Sequence, residues 1–457
     1  MKVITNIAKV LSSSIITFSS NFIIGFILPI YLSVAEYGYY REFVLYFNFF
    51  YILNLGFNEG LYIKYGGKKL IDIDKETLLR EHNTSLFIQF VITVIIFIFG
   101  IALDSRLISI FAFTTFFANA TYFHQLVQQA LSEFTEYSRT NTIKGISTIL
   151  TMIIALIIFK GNTHDYYIIA LMLAQVIVFV YCEYKFIKTV RGKWTIFLNS
   201  NQIRQIFKIG VFVLLANFLR VLVGNIGQWI VQLFADIESF AQYSLAGSML
   251  SVVLLVINAV AAVFYTVISR NKDHAKLNVI KDLLLIFGVV SGLAYFVLYY
   301  LIIYFIPAYQ PSLVYMKYLI LSVPYLMVIN VIATNLYKTN MNEKKYFFSM
   351  LLVLIVTSVL IGISYIVYAD PIVAALGTTV VYMVWYFIIT EYTFSFLKNT
   401  KKFNILLIGH AIAYITLTSL SSNLMGMSLY ALYCIFMLII YRNSFFTLYS
   451  YLKESKA

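Results

Sequence analysis

Apolar runs of membrane-spanning length follow one another along this chain, and the gaps between them alternate in charge. A run of about 18–20 apolar residues is long enough to cross the hydrocarbon of a bilayer as a helix. Such runs lie near 7–32, 41–57, 84–103, 107–130, 142–159, 166–186, 207–234, 239–266, 282–306, 313–337, 346–368, 372–396, 403–420 and 424–442. The pattern predicts an all-α, polytopic integral membrane protein with about 14 transmembrane helices and no separate soluble domain.

Composition supports this and charge adds direction. The 457 residues are 61% hydrophobic and 12% charged, about half the charge of a soluble domain. A net charge of +13 could mark a nucleic-acid binder, but its distribution excludes that partner. The gaps near 58–83, 131–141, 187–206, 267–281, 338–345 and 397–402 are basic. The first holds Lys64, Lys68, Lys69, Lys75 and Arg80; the third holds Lys188, Arg191, Lys193 and Arg204. The intervening gaps, DSR at 104–106, KGNTHD at 160–165, ADIES at 235–239 and YADP at 368–371, carry almost no positive charge. The positive-inside rule then puts the N- and C-termini in the cytoplasm, with anionic membrane lipid as a natural neighbour of the basic gaps. Lys2, Lys9 and Ser33-Val34-Ala35 give the first run some features of a cleavable signal. Its length and the spans that follow favour a retained helix. Cys182 and Cys434 lie within runs and read as small apolar residues, leaving no disulfide or metal framework and no implied cofactor.

The basic gap divides the chain. An N-terminal lobe at 1–186 (runs 1–6) and a C-terminal lobe at 207–396 (runs 7–12) flank a cytoplasmic connector at 187–206, and a terminal helix pair with its tail occupies 397–457. An internal echo accompanies the division: Asn21-Phe22 leads to Ala35-Glu36-Tyr37, and Asn217-Phe218 leads to Asp236-Ile237-Glu238. Parallel repeats of this kind are common in transporters. A short amphipathic helix is expected after Gly66-Gly67.

Polar residues inside the runs are the candidates for function, because ionisable groups in a span face the bundle interior or water. Arg41, Asn48 and Glu59 are spaced to share one helical face of the second run. They form a hydrated interior stripe, or the two charges snorkel to the interfaces. In the seventh run Asn217, Arg220, Gly224, Gln228 and Gln232 recur at helical spacing with Asn225 alongside. Arg220 lies three to four turns from the outer end, too deep to snorkel easily, and needs water, a carboxylate such as Glu59, or an anionic ligand. In the fourth run Thr121, His124, Gln125 and Gln128 share a face; amides suit sugar hydroxyls and also glue helices together. Lys317 opens the tenth run near the interface. Glu183 and Glu391 lie near cytoplasmic ends and can face water. Pro29 and Pro324 are expected to kink their helices.

Pro29-Ile30-Tyr31 followed by Ala35-Glu36-Tyr37-Gly38-Tyr39-Tyr40 resembles the opening of the bacterial polysaccharide transporters. The stretch from Gly56 to Gly67, GFNEGLYIKYGG, is similar to their signature after the second span. Ile306-Pro307-Ala308-Tyr309 and Tyr337-Lys338 also fit. These are O-antigen and related lipid-linked oligosaccharide flippases of the multidrug, oligosaccharidyl-lipid and polysaccharide exporter superfamily. The resemblance implies two pseudo-symmetric six-helix lobes around a central cavity, plus two C-terminal helices. It implies translocation of undecaprenyl-pyrophosphate-linked repeat units to the periplasmic leaflet of the inner membrane, by alternating access coupled to H+ or Na+. A glycan polymerase and a chain-length regulator would be partners. On this reading Arg220, Arg41, Lys64 and Lys317 bind pyrophosphate. Asn48, His124, Gln125, Gln128, Asn217, Asn225, Gln228 and Gln232 line the sugar cavity, and Glu59 couples the ion.

The alternatives are a multidrug exporter of the same superfamily, with twelve spans, and a membrane glycan polymerase or acyltransferase. The short outer gaps and the lack of a paired-carboxylate or His-centred constellation argue against an enzyme.

Overall fold

The computed structural model describes residues 16, 20, 24–159, 163–190, 199–270, 274–333, 335–336, 343–442 and 444. Asn21-Phe22 of the internal echo, Lys2, Lys9, residues 191–198 of the connector and Tyr337-Lys338 lie outside them. Among the described residues the chain is helical, without a strand. It begins with α1 (24–31), α2 (Val34–Phe47), α3 (Phe57–Tyr65), α4 (Lys75–Ala102), α5 (Arg106–Ala130), α6 (Phe134–Phe159), α7 (His164–Thr189) and α8 (Ser200–Phe234). It continues with α9 (Ile237–Arg270), α10 (His274–Ser291), α11 (Leu293–Phe305), α12 (Ser312–Leu321), α13 (Val323–Val328), α14 (Glu343–Tyr368), α15 (Pro371–Ile388), α16 (Lys401–Thr418) and α17 (Asn423–Ile440).

Several starts are written in the sequence as N-caps. Ser33, Asp74, Ser105, Asp370 and Ser422 each accept a backbone N–H of the helix they open, which satisfies donors that the first turn leaves free. The carboxyl of Asp74, in the loop before α4, is held below its usual range by the Thr77 hydroxyl and the N–H groups it accepts.

Among the described residues eight helical stretches are long and apolar enough to span a membrane, α10 and α11 together being one, or nine if α12 and α13, bent by 49°, count as one span. The expected 14 exceeds this number. The first run lies partly outside the described residues, the second is broken, and α5 buries a long polar face. The expected helix after Gly67 is replaced by a single 3-10 turn, Leu70–Asp72, and α4 begins nine residues before the apolar run at 84.

Burial is inverted relative to a soluble protein. The buried positions of α4 include Glu81, His82, Asn83, Thr84, Ser85, Gln89 and Thr93. Phe90, Ile95, Ile98 and Phe99 of the same helix are exposed, each by more than half. This is the arrangement lipid selects.

The chain forms two compact units, residues 1–224 and 225–457, divided within α8. In the first unit the second apolar run does not stay helical. α2 ends at Phe47, a 3-10 turn covers Phe50–Asn54, and Leu55 and Gly56 take left-handed φ values of 54° and 92° before α3 begins. Arg41, Asn48 and Glu59 therefore do not share one helical face. Arg41 is on α2, Asn48 is its exposed C-cap, and Glu59 is on α3 beyond the break. α3 packs very closely on the first half of α8. Gly56 and Gly60, four apart, meet Gly210 and Ile206: a Cβ built on Gly210 would lie 1.8 Å from the Gly56 carbonyl oxygen. Small residues at this spacing let membrane helices approach to backbone contact.

The second unit has its own breaks. Pro324 bends α12–α13 as its sequence predicts, and Gly288 of α10 makes room for it, since a Cβ there would fall 2.3 Å from Pro324 Cα. α10 gives way to α11 around Gly292, where the Tyr430 hydroxyl of α17 donates to the Val289 carbonyl at 2.7 Å. Substituting Gly210 with Ala should destabilise the protein by about 1–3 kcal/mol through overpacking. Gly362→Ala, where an added Cβ meets nothing within 4 Å, should be neutral or mildly stabilising. Thermal melts of the two variants in detergent check the contrast, and equal melting temperatures would refute the α3–α8 contact.

Candidate functional site

The broken second span builds a polar centre in the first unit. A break at membrane depth leaves backbone groups unpaired, and these must be satisfied by neighbouring protein. Here side chains of α4 and α5 do so. Asn119 Nδ2 donates to the Phe50 carbonyl at 2.9 Å and Gln89 Nε2 to the Leu53 carbonyl at 3.2 Å. Asn54 folds over the break: its Oδ1 accepts the Gly56 N–H at 2.8 Å and its Nδ2 donates to the Tyr51 carbonyl at 2.6 Å. Asn58 receives the Ser85 hydroxyl at 2.9 Å and donates to the Asn119 carbonyl at 3.3 Å.

Glu59 sits in this centre, 1% exposed. Asn54 Nδ2 donates to its Oε1 at 3.5 Å. Tyr51 and Tyr122, their rings 6.3 Å apart, lie within electrostatic reach of both Glu59 and Arg220. Acid, two phenols and cation thus form one cluster from α3, the break, α5 and α8. The guanidinium of Arg220 makes no ion pair among the described residues, and its residue is exposed midway along α8. Asn217 stands half-buried one turn before it.

The other expected cations differ in their surroundings. Arg41 is half-buried on α2, with its Nε sequestered and without a hydrogen-bond partner among the described residues. Lys64 is neutralised by the fully buried Glu81, which also accepts the Tyr65 hydroxyl. Lys317 of α12 donates to the Ser419 hydroxyl and lies 5.7 Å from the Tyr318 ring centre.

In the fourth run the polar face is turned onto neighbouring helices. Gln125 Nε2 donates to Asn141 Oδ1 at 2.8 Å, and Gln128 Oε1 accepts from Thr140 at 3.3 Å, tying α5 to α6. His124 is buried, with Nε2 2.8 Å from Glu183 Oε1 on α7. His82 of α4 reaches the same oxygen at 2.9 Å. Glu183 therefore anchors two histidines rather than simply facing water. In the second unit Asn225, Gln228 and Gln232 are half-buried along the end of α8, and Gln228 packs over Gly247 of α9.

Sequence reasoning missed Asn54, Asn58, Ser85, Gln89 and Asn119, and it missed Glu81 and His82 as partners. The signal was present on α4, where Glu81, Ser85 and Gln89 fall four apart on one face. It also missed Lys281 of α10, buried in the second unit with Nζ 2.9 Å from the Leu397 carbonyl and 3.3 Å from both the Lys398 carbonyl and Asp282.

With this geometry in hand, comparison with known proteins is informative at the level of fold. No known family profile and no curated protein matches the sequence. The structure superposes on the lipid II flippase MurJ in an inward closed conformation with a TM-score of 0.71 at 16% identity, covering 96% of this chain and 99% of the other. An inward-facing MATE multidrug-resistance transporter of the MOP superfamily gives 0.56 at 12% identity, over 90% and 96%. The MATE transporter ClbM in complex with Rb+ gives 0.51 at 13%, over 89% and 97%. The chain has the MurJ/MATE transporter fold. The solved structures that share this fold are a lipid II flippase and multidrug-resistance transporters.

Replacing Asn119 with Leu removes the donor to the Phe50 carbonyl and leaves that oxygen buried in an apolar setting. The loss should be about 1–2 kcal/mol, read as a lower melting temperature. A melting temperature unchanged from wild type would show that the break does not depend on this side chain.

Proposed function

We propose that this chain is a flippase for undecaprenyl-pyrophosphate-linked oligosaccharide repeat units, moving them from the cytoplasmic to the periplasmic leaflet by alternating access. The observation that carries the reading is Arg220. It is a cation halfway along an apolar helix, exposed and without an ion pair among the described residues, with amides on the same helix before and after it. An unpaired guanidinium at membrane depth is expensive unless it meets water or an anion. Its planar fork suits two oxygens of a pyrophosphate. Asn217, Asn225, Gln228 and Gln232 would meet sugar hydroxyls, and Arg41 would supply a further guanidinium. The similarity to a lipid II flippase over nearly the whole chain supports a lipid-linked cargo, and is closer than that to the multidrug exporters.

Glu59, buried beside two phenols and in reach of Arg220, is the group through which H+ or Na+ would couple. On this reading the termini are cytoplasmic, 1–186 and 207–396 act as the transport lobes with 397–457 as an accessory pair, and a glycan polymerase and chain-length regulator act downstream. A multidrug exporter is the second reading, favoured by the shared MATE fold.

Arg220→Ala should lower surface glycan at least tenfold at unchanged protein level, while Arg220→Lys retains part of it. This is read by gel analysis of glycan in a flippase-null strain complemented with each variant. Undiminished glycan in Arg220→Ala would remove the assignment. Glu59→Gln should abolish the dependence of export on the ion gradient. Export that still collapses with the gradient would place coupling elsewhere.

A further inference from the structure

The His82, His124 and Glu183 side chains come from three different helices, α4, α5 and α7, and converge on one point. Their ligand atoms lie within 4.8 Å of one another, with both Nε2 atoms at 2.8–2.9 Å from the same carboxylate oxygen. The residues are 42 and 59 positions apart in sequence, so no short motif announces them.

Three features make this more than a hydrogen-bonded knot. Both imidazoles are 4% exposed, and their Nε2 atoms, which donate to Glu183 Oε1, would give lone pairs to an ion once each proton leaves or moves to Nδ1. Phe123 and Phe186 wall them in, with the Phe186 ring 4.4 Å from His82 and 5.2 Å from His124. The rings cannot turn away freely. His82 also has an outer contact: its Nδ1 faces Asn83 Oδ1 at 3.4 Å, the arrangement that orients a metal-ligating imidazole through its far nitrogen.

We infer that His82, His124 and Glu183 form a binding site for a borderline divalent transition metal of the Zn2+ class. Two nitrogens and one carboxylate oxygen are the donor set of a three-ligand zinc site, whose fourth position is left to water. The 16% exposed Glu183 side chain is the solvent edge where that water sits. Tetrahedral bonds of about 2.0–2.1 Å put ligand atoms roughly 3.3 Å apart. The two nitrogen-to-carboxylate contacts would open by about half an ångström to reach this spacing, and the two nitrogens already lie within 4.8 Å of each other. Hard ions such as Mg2+ and Ca2+ prefer all-oxygen shells and are excluded by the two imidazoles. Cys182, next in sequence to Glu183, pairs with Thr140 at 3.8 Å and is not a ligand. A bound ion would clip α4, α5 and α7 together at the end of the first unit where α4 begins and α5 and α7 end. The inference is independent of the cargo.

The test uses the full chain purified without a histidine tag, stripped with chelator and kept monodisperse. Zn2+ is added, and bound metal is counted by elemental mass spectrometry. Co2+ is used in parallel for its visible absorption. Wild type should hold close to one ion per chain, with a melting temperature raised by about 3 °C at a hundredfold excess over Kd. His124→Asn and Glu183→Gln keep the packing volume and should each lower retention at least tenfold. His164→Ala, at a histidine paired instead with Glu36 at 2.7 Å, should retain one ion. Folded wild type without stoichiometric metal, or binding unchanged in both His124→Asn and Glu183→Gln, would overturn the site.

Discussion

The constraint on which the first unit depends is that backbone groups inside a bilayer must find partners within the protein. Residues 48–56 violate helical continuity in the middle of a span, and the surrounding helices are shaped by that violation. α4 and α5 turn amides inward because the Phe50 and Leu53 carbonyls require donors. α8 approaches to backbone contact because Gly56 lies at a left-handed φ and Gly60 follows one turn later. The break also places Glu59 in the interior, since α3 restarts with its first turn covered by α4, α5 and α8. A continuous helix would have put a carboxylate at that height near the interface, solvated and ordinary.

Satisfying a break with side chains has a consequence for charge. The amides are neutral and fixed, so they organise the centre without neutralising anything in it. Where a buried carboxylate is neutralised it is by a direct pair, as between Lys64 and Glu81. Arg220 and Glu59 are left in a common field bridged by phenols instead of a salt bridge.

The fold class was legible because the apolar period and the charge of the loops are strong, redundant signals. α5, α6, α7 and the end of α8 fall within a few residues of the apolar runs, apart from an early start of α6 at Phe134. The break in the second run was not legible. Phe50 to Leu55 is apolar apart from Asn54, contains no Pro, and reads as helix. Asn54 and Gly56 alone hint otherwise. The inward polar row of α4 was hidden for a related reason, because its first third lies in what charge marks as a loop, although Lys75 to Thr84 is helix. Arg220 was visible since it interrupts a run. Lys281 was not, since it stands at the start of one and its burial depends on carbonyls more than 100 residues away.

A parallel between the two units emerges when each is considered alone. In the first, His82 near the start of α4 binds Glu183 near the end of α7. In the second, Lys281 within α10 binds the Leu397 and Lys398 carbonyls beyond the end of α15, and Lys398 pairs with Glu391 at 2.9 Å. His82 and Lys281 are 199 residues apart, and Glu183 and Glu391 are 208 apart. Each unit thus fastens its third span to its sixth at corresponding positions with a cationic or imidazole donor. The chemistry has diverged. An ammonium that satisfies carbonyls is a permanent structural tie. Two imidazoles sharing one carboxylate can exchange that bond for a metal.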